Sequence, residues 1–267
     1  MQHRTTPMPS SSVLSAHITL GMLAAAMCIW PAPAEAGPTD SGTSVSVPYV
    51  GCPSDGQVGP FPAPTGPGQS LPLDKKIAEQ LAVYSEHQGL RVLGPAGWHC
   101  AGIYGSNGAA LLVTPQAITP QELLSSKSFD GPAIQLSWRS GGTSGRFEVA
   151  RIIARVFPEE RAFVERVIAE GLQPASDFPF GPFAKDQLTR PTNQLVEFLT
   201  PARSEGLGTQ SWLRMNDRPI QGFAMLHGEY PDLIYLAVRL PPDLTDLTVA
   251  IVRQGERLPK VAGLTAD

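Results

Sequence analysis

The residues best suited to chemistry in this chain sit at one junction, Trp138-Arg139-Ser140-Gly141-Gly142-Thr143-Ser144-Gly145-Arg146. A β-prone run enters a glycine-rich turn and leaves it as a helix start. Backbone N–H groups exposed at such a place attract anions, and the helix dipole adds to the pull. Arg139 and Arg146 would complete a site for phosphate, sulfate or carboxylate, with Gly141, Gly142, Ser144 and Gly145 as the cradle. The Lys-Ser/Thr ending of a nucleotide P-loop is missing, as is the G-x-G-x-x-G spacing of a dinucleotide site. A connecting turn with Ser144 as helix cap explains the same residues. A second cluster, Phe178-Pro179-Phe180-Gly181-Pro182-Phe183, holds rings stiffened by prolines. Phe178, Phe180 and Phe183 would form a preorganised partner patch, or a lid over one end of the core. Solvent exposure separates those two readings.

Catalytic and metal-binding patterns are sparse. Neither H-x-x-x-H nor H-E-x-x-H occurs, so no zinc site is expected, and no Asp/Asn ladder of a calcium loop is present. His87 falls near an expected helix end, His99 beside a cysteine and His227 near a strand end. A hydrolase would draw its nucleophile from Ser54, Ser106 or Ser144, with His99 as base. Ser106 misses the G-x-S-x-G elbow because Tyr104 stands where the first glycine is needed. A thiol at Cys100 acting with His99 is disfavoured, because successive side chains of a strand point to opposite faces. Cys52 and Cys100, 48 positions apart, are expected to form a disulfide instead. Closing a loop of that length stabilises a fold by about 4 kcal/mol in the chain-entropy model.

The elements that must position these residues follow from pattern. A helix is expected from Asp74, its N-cap, through Ile77, Leu81 and Tyr84 to a stop at Gly89. His99 to Tyr104 and Ala109 to Thr114 flank Gly105-Ser106-Asn107-Gly108 and read as a hairpin. Asn107-Gly108 at the turn centre would place Tyr104 opposite Leu111 and Ile103 opposite Leu112. A short helix over Pro120 to Ser126 and a strand over Ala133 to Arg139 come next. Ser144 opens a helix with Phe147, Ala150, Ile153, Ala154 and Phe157 on one face. Pro158 starts another that stops at Gly171. Residues 172–191 show neither period and read as a long loop. Strands are expected near 193–199, 219–227 and 232–240, and the last is apolar on both faces, as a central strand is. Asp243 caps a final helix ending at Gly255.

The N-terminus reads as an export signal. A polar lead, Met1 to His17, precedes an apolar run from Ile18 to Trp30, and cleavage is expected after Ala34-Glu35-Ala36. The run is too short to span a bilayer by itself. Met27 before Cys28 argues against a lipoprotein site, and no twin-arginine pair is present. Beyond residue 36 lie 231 residues with net charge −4, which gives a nucleic-acid or anionic-membrane partner no electrostatic support. Glycine and proline make up about a fifth of them, below a low-complexity composition.

Several segments carry a resemblance. Tyr49-Val50-Gly51-Cys52-Pro53-Ser54-Asp55-Gly56-Gln57, Gly97-Trp98-His99-Cys100, Gly105-Ser106-Asn107-Gly108 and Arg146-Phe147-Glu148-Val149-Ala150-Arg151 resemble a group of exported proteobacterial proteins of unknown function. That resemblance implies a bacterial, exported protein and brings no ligand or site residues. A weaker likeness, at the level of fold alone, is to PsbP/Mog1-type domains. Together these readings predict an α+β protein with three segments: a signal peptide at 1–36, an extended Pro/Gly-rich arm at 37–72 and one globular domain at 73–267. The domain is expected to be a mainly antiparallel sheet flanked by helices, with one disulfide. The expected function is a non-catalytic binding or accessory protein of the cell envelope, periplasmic or secreted. Its partner would be an envelope protein or a small anionic ligand. No cofactor or metal is implied, nor any stable membrane insertion after signal cleavage. The alternative is a hydrolase acting on envelope material.

Overall fold

A computed structural model describes residues 44–125, 128–228 and 230–257, which belong to one compact unit. The expected signal peptide, its cleavage point and residues 37–43 lie outside the described residues, as does Ser126 at the expected end of its helix.

The centre of the fold is an eight-stranded sheet. Its strands are β3 (Ser54–Gly56), β7 (His99–Gly105), β8 (Gly108–Thr114), β9 (Ala133–Arg139), β10 (Gln187–Thr192), β11 (Leu195–Thr200), β12 (Ile220–His227) and β13 (Asp232–Arg239). They lie side by side in the order β10-β11-β12-β13-β9-β8-β7-β3 and pair antiparallel except for β3 with β7. β13 is central, buried along nearly all its length, as its unbroken apolar run demands. On one face lie α2 (Pro120–Ser125), α3 (Arg146–Val156) and α4 (Arg161–Ala169), closing a core around Leu112, Ile153, Phe157 and Tyr235. The other face carries α5 (Thr248–Arg257) and a three-stranded sheet of β2 (Tyr49–Gly51), β5 (Leu81–Ser85) and β6 (Arg91–Pro95). Its core is built on Leu93, Leu111, Leu136 and Leu236. The remaining strands, β1 (Ser44–Val47) and β4 (Gln69–Pro72), pair with each other. The fold is therefore α+β, mainly antiparallel and flanked by helices. The disulfide Cys52–Cys100 joins the segment between β2 and β3 to β7, with Cα atoms 5.2 Å apart.

Five local expectations need correction. The helix expected over 74–89 forms only its first turn, α1 (Lys75–Ala78), where the Asp74 carboxylate accepts from Lys76 N at 2.8 Å and Ile77 N at 3.3 Å. From Leu81 onward every residue of β5 is buried. A strand covered on both faces can bury five consecutive side chains, whereas a surface helix cannot. Gly89 does end a segment, but as part of the β5–β6 turn, where Glu86 accepts from Gln88 N at 2.6 Å and Leu90 N at 2.8 Å.

The β7–β8 hairpin forms with a different register, Tyr104 opposite Ala109 and Ile103 opposite Ala110. Its two-residue loop is Ser106-Asn107, and Gly108 is already in the ladder at φ +136°, where a Cβ would lie 2.1 Å from Trp138 O. The shift is by two residues, so every side chain keeps its face. Ser144 does not cap α3; Gly145 takes that place without a side-chain bond. Gly255 does not end α5 but lies inside it, where a Cβ would meet Phe223 at 2.9 Å. A strand also appears where only loop was expected. β10 is an exposed edge with almost no apolar alternation, and Pro191 is tolerated there because an edge has one free side.

Candidate functional site

The polar side chains of β9 carry the most informative geometry. Successive residues of a strand face opposite ways. Ile134 and Leu136 enter the core beneath α5, so Gln135, Ser137 and Arg139 face α3. All three are buried, at 3%, 4% and 7% exposure. Register places Tyr235 of β13 beside Ser137 and Leu233 beside Arg139. A polar row within a covered sheet face costs stability unless each group is partnered.

Some partners are structural. Gln135 Oε1 accepts from Trp212 N at 2.7 Å, pinning the 201–219 loop to the sheet. The Tyr235 phenol donates to Leu207 O, and burial pushes its pKa well above the ordinary range, so it remains a donor. Arg139 donates through Nε to Glu148 and through Nη1 to Ala109 O at 2.9 Å and Trp138 O at 3.0 Å. What remains is unspent donor capacity. Gln135 Nε2 and Arg139 Nη2 have no acceptor among the described residues, and the Ser137 hydroxyl has only a 3.5 Å contact with Tyr235 O. All three residues line a cavity of about 290 Å³ beneath α3. Glu148, Arg151 and Gln210 stand at its mouth, and Ile152, Leu233 and Trp212 supply apolar wall. Arg151 is held there by Gln173 Oε1 at 2.8 Å and by Asp177 at 3.9 Å.

The expected anion cradle is thus divided. Arg139 turns into the cavity, while Arg146 turns outward to a bidentate pair with Glu170, at 2.9 and 2.6 Å. Gly141 N donates to Asp232 Oδ1 at 2.9 Å, so a carboxylate of the chain itself occupies this turn's N–H group. Gly141 and Gly145 allow close backbone approach: a Cβ at either would lie 2.3 Å from Pro231 O or Asn107 O. Gly142 and Ser144 are exposed. In the aromatic loop, Phe178 is buried in the core at 1% exposure, Phe183 is half-buried, and Phe180 projects at 43%.

Comparison with family models, curated proteins and solved structures returns no match. Function must therefore be argued from the site.

The serines weighed for hydrolysis are scattered. Ser54 is buried with its hydroxyl unpartnered, whereas Ser106 and Ser144 are exposed. His87 stacks on Phe61 with ring centroids 3.9 Å apart, and His99 is exposed beside the disulfide. Among the described residues no group of three or more His, Cys, Asp and Glu is placed to hold a metal. No helix among them is long and apolar enough to cross a membrane. A larger groove of about 340 Å³ lies on the opposite face, between β10–β12 and α5, and Glu197 lines it. Apart from buried Phe198 and Gly222 its lining is exposed or half-buried, and it lacks the row of buried polar residues that lines the α3 cavity. Gln135 and Ser137 were not singled out from sequence. The signal was present as alternation with Ile134, Leu136 and Trp138, but an alternating strand with polar residues on one face ordinarily turns that face to water.

Proposed function

We propose that this is an exported binding protein of the cell envelope, periplasmic or secreted, that holds a small anionic ligand beneath α3 without reacting with it. One observation carries the reading: three buried residues at alternate positions of a central strand direct unspent donors into one cavity. Spare donors lining a roomy, partly covered site favour a ligand rich in acceptors, and an Arg beside an amide and a hydroxyl suits a carboxylate or phosphate. The volume is near the lower end for small-molecule sites, which favours a compact ligand. The disulfide fits an oxidising compartment outside the cytoplasm, and the N-terminal pattern supports export.

Native mass spectrometry on protein purified gently from its host's envelope fraction tests the reading directly. A mature N-terminus at Gly37 and a small bound mass are expected. Calorimetry with succinate, acetate and inorganic phosphate should then identify at least one anion that binds. Ser137→Ala and Arg151→Gln should weaken that anion by about tenfold, the loss of one good hydrogen bond. Failure of all three anions to bind, together with protein that carries no extra mass, overturns the binding reading.

A further inference from the structure

A second cavity, about 210 Å³, opens where the C-terminal end of α3 meets the start of α4 and the aromatic loop. Its floor is apolar, formed by Ile153, Ala154 and Phe157, all buried. Phe180 and Pro182 make one wall, on a loop fixed by Gly181 N donating to Ala154 O at 2.9 Å. Three guanidinium groups line this apolar space: Arg155, Arg161 and Arg190.

Their hydrogen bonds leave a charge imbalance. Arg161 pairs with Glu165 at 2.8 Å and stacks over the Phe180 ring at 4.1 Å. Arg155 donates to Gly181 O at 3.3 Å and stacks over Phe183 at 4.0 Å. Arg190 donates to Val156 O, at the negative end of α3. Among the described residues neither Arg155 nor Arg190 has a carboxylate within 4.0 Å. The acid whose field reaches Arg155 is Asp186, already bonded by Leu207 N and by the Thr200 hydroxyl, each at 2.7 Å. Like charges held around an apolar floor repel unless an anion joins them. The chain as a whole is acidic, so this local excess of cation is not a consequence of composition. An exposed phenylalanine on a proline-stiffened loop adds a preformed apolar contact.

We propose that this cavity binds an aromatic monoanion, with its carboxylate on Arg155 and Arg190 and its ring against Phe180 and the Phe157 floor. The stacked guanidinium of Arg161 forms the edge of the ring's seat. The site is separate from the α3 cavity in residues and in ligand character, since one floor is apolar and the other polar.

Saturation-transfer NMR on the purified protein, with benzoate as probe and benzyl alcohol as its neutral counterpart, tests the assignment. Benzoate should bind at least about tenfold more tightly than benzyl alcohol, the value of one charge-assisted contact. The double variant Arg155→Gln/Arg190→Gln should erase that preference. Phe180→Ala, a change at an exposed side chain, should weaken both probes by several-fold and keeps the test valid if the double variant does not fold. Val58→Ala, at an exposed side chain outside both cavities, should leave benzoate binding unchanged. The proposal is overturned if benzoate does not bind, if the two probes bind equally, or if Phe180→Ala leaves benzoate binding unchanged.

Discussion

Glu256 of α5 offers a sharp test of how this fold handles charge. It meets Glu197 of β11, and its pKa is pushed up to about 7, first by burial and then by hydrogen bonding to and repulsion from Glu197. Arg253 and Arg257 soften the effect. As two carboxylates the pair cannot hydrogen-bond, and Glu256 Oε1 is buried without a partner. A single shared proton turns that conflict into a hydrogen bond. An unfolded glutamate titrates near 4.5, so between that value and about 7 the unfolded chain releases a proton that the folded protein keeps. The contribution to stability is therefore fully present below about pH 4.5 and is lost as pH rises through about 7. The displacement corresponds to an upper limit of about 3 kcal/mol. Glu256 as a residue is only half-buried, so solvent around it screens the pair and reduces the expected effect to roughly 1–2 kcal/mol.

Glu256→Gln keeps the shape, supplies a permanent donor to Glu197 and removes the titration. Urea unfolding followed by tryptophan fluorescence at pH 5, 6, 7 and 8 would compare the two proteins. Because all other carboxylates are shared, the background pH dependence cancels in the difference. Wild type should lose roughly 1–2 kcal/mol relative to Glu256→Gln between pH 5 and pH 8. A difference that stays flat across this range would refute the shared-proton account. A difference of opposite sign would place Glu256 nearer to Arg253 and Arg257 than to Glu197.

Two further outcomes test the architecture. Arg239, 1% exposed, donates to Gly131 O at 3.0 Å, to Phe129 O at 2.7 Å and to Arg214 O, tying two loops to the central strand. Arg239→Met should cost about 2–3 kcal/mol in urea unfolding, because three backbone carbonyls, of Phe129, Gly131 and Arg214, lose the charged donor that ties their loops to the sheet; a cost under about 1 kcal/mol would mean that water replaces it. Reduction, or Cys52→Ser/Cys100→Ser, should lower stability by about 4 kcal/mol and raise amide exchange first in residues 44–72, whose covalent link to β7 is lost. Uniform exchange across the chain would show that the bridge does not act locally.

Legibility in the sequence followed the range of the forces involved. The β7–β8 hairpin, α3, α4 and the double-sided strand β13 were readable because turn residues and short-range periodicity specify them. The expected helix over 74–89 failed where burial on both faces overrode an apparent helical stripe, at Leu81 and Tyr84. β10 was invisible because an exposed edge strand needs no apolar pattern. From sequence, the glycines of the 139–146 junction fit an anion cradle and a connecting turn equally in kind. Their cause, however, was backbone approach to Pro231 and Asn107, contacts set by residues far away in sequence.

The sequence by itself determined the α+β class, the mainly antiparallel sheet, the cysteine pair and a central strand at the end of the chain. Each depends on composition, spacing or local pattern. Only the tertiary structure decided that the face of Gln135, Ser137 and Arg139 lies under α3 rather than in water, and that Arg155, Arg161 and Arg190 share one cavity with Phe180. Alternation along a strand separates two faces but does not say which is covered. Covering is a long-range packing outcome, and it turns an ordinary polar stripe into a row of largely buried residues lining one cavity.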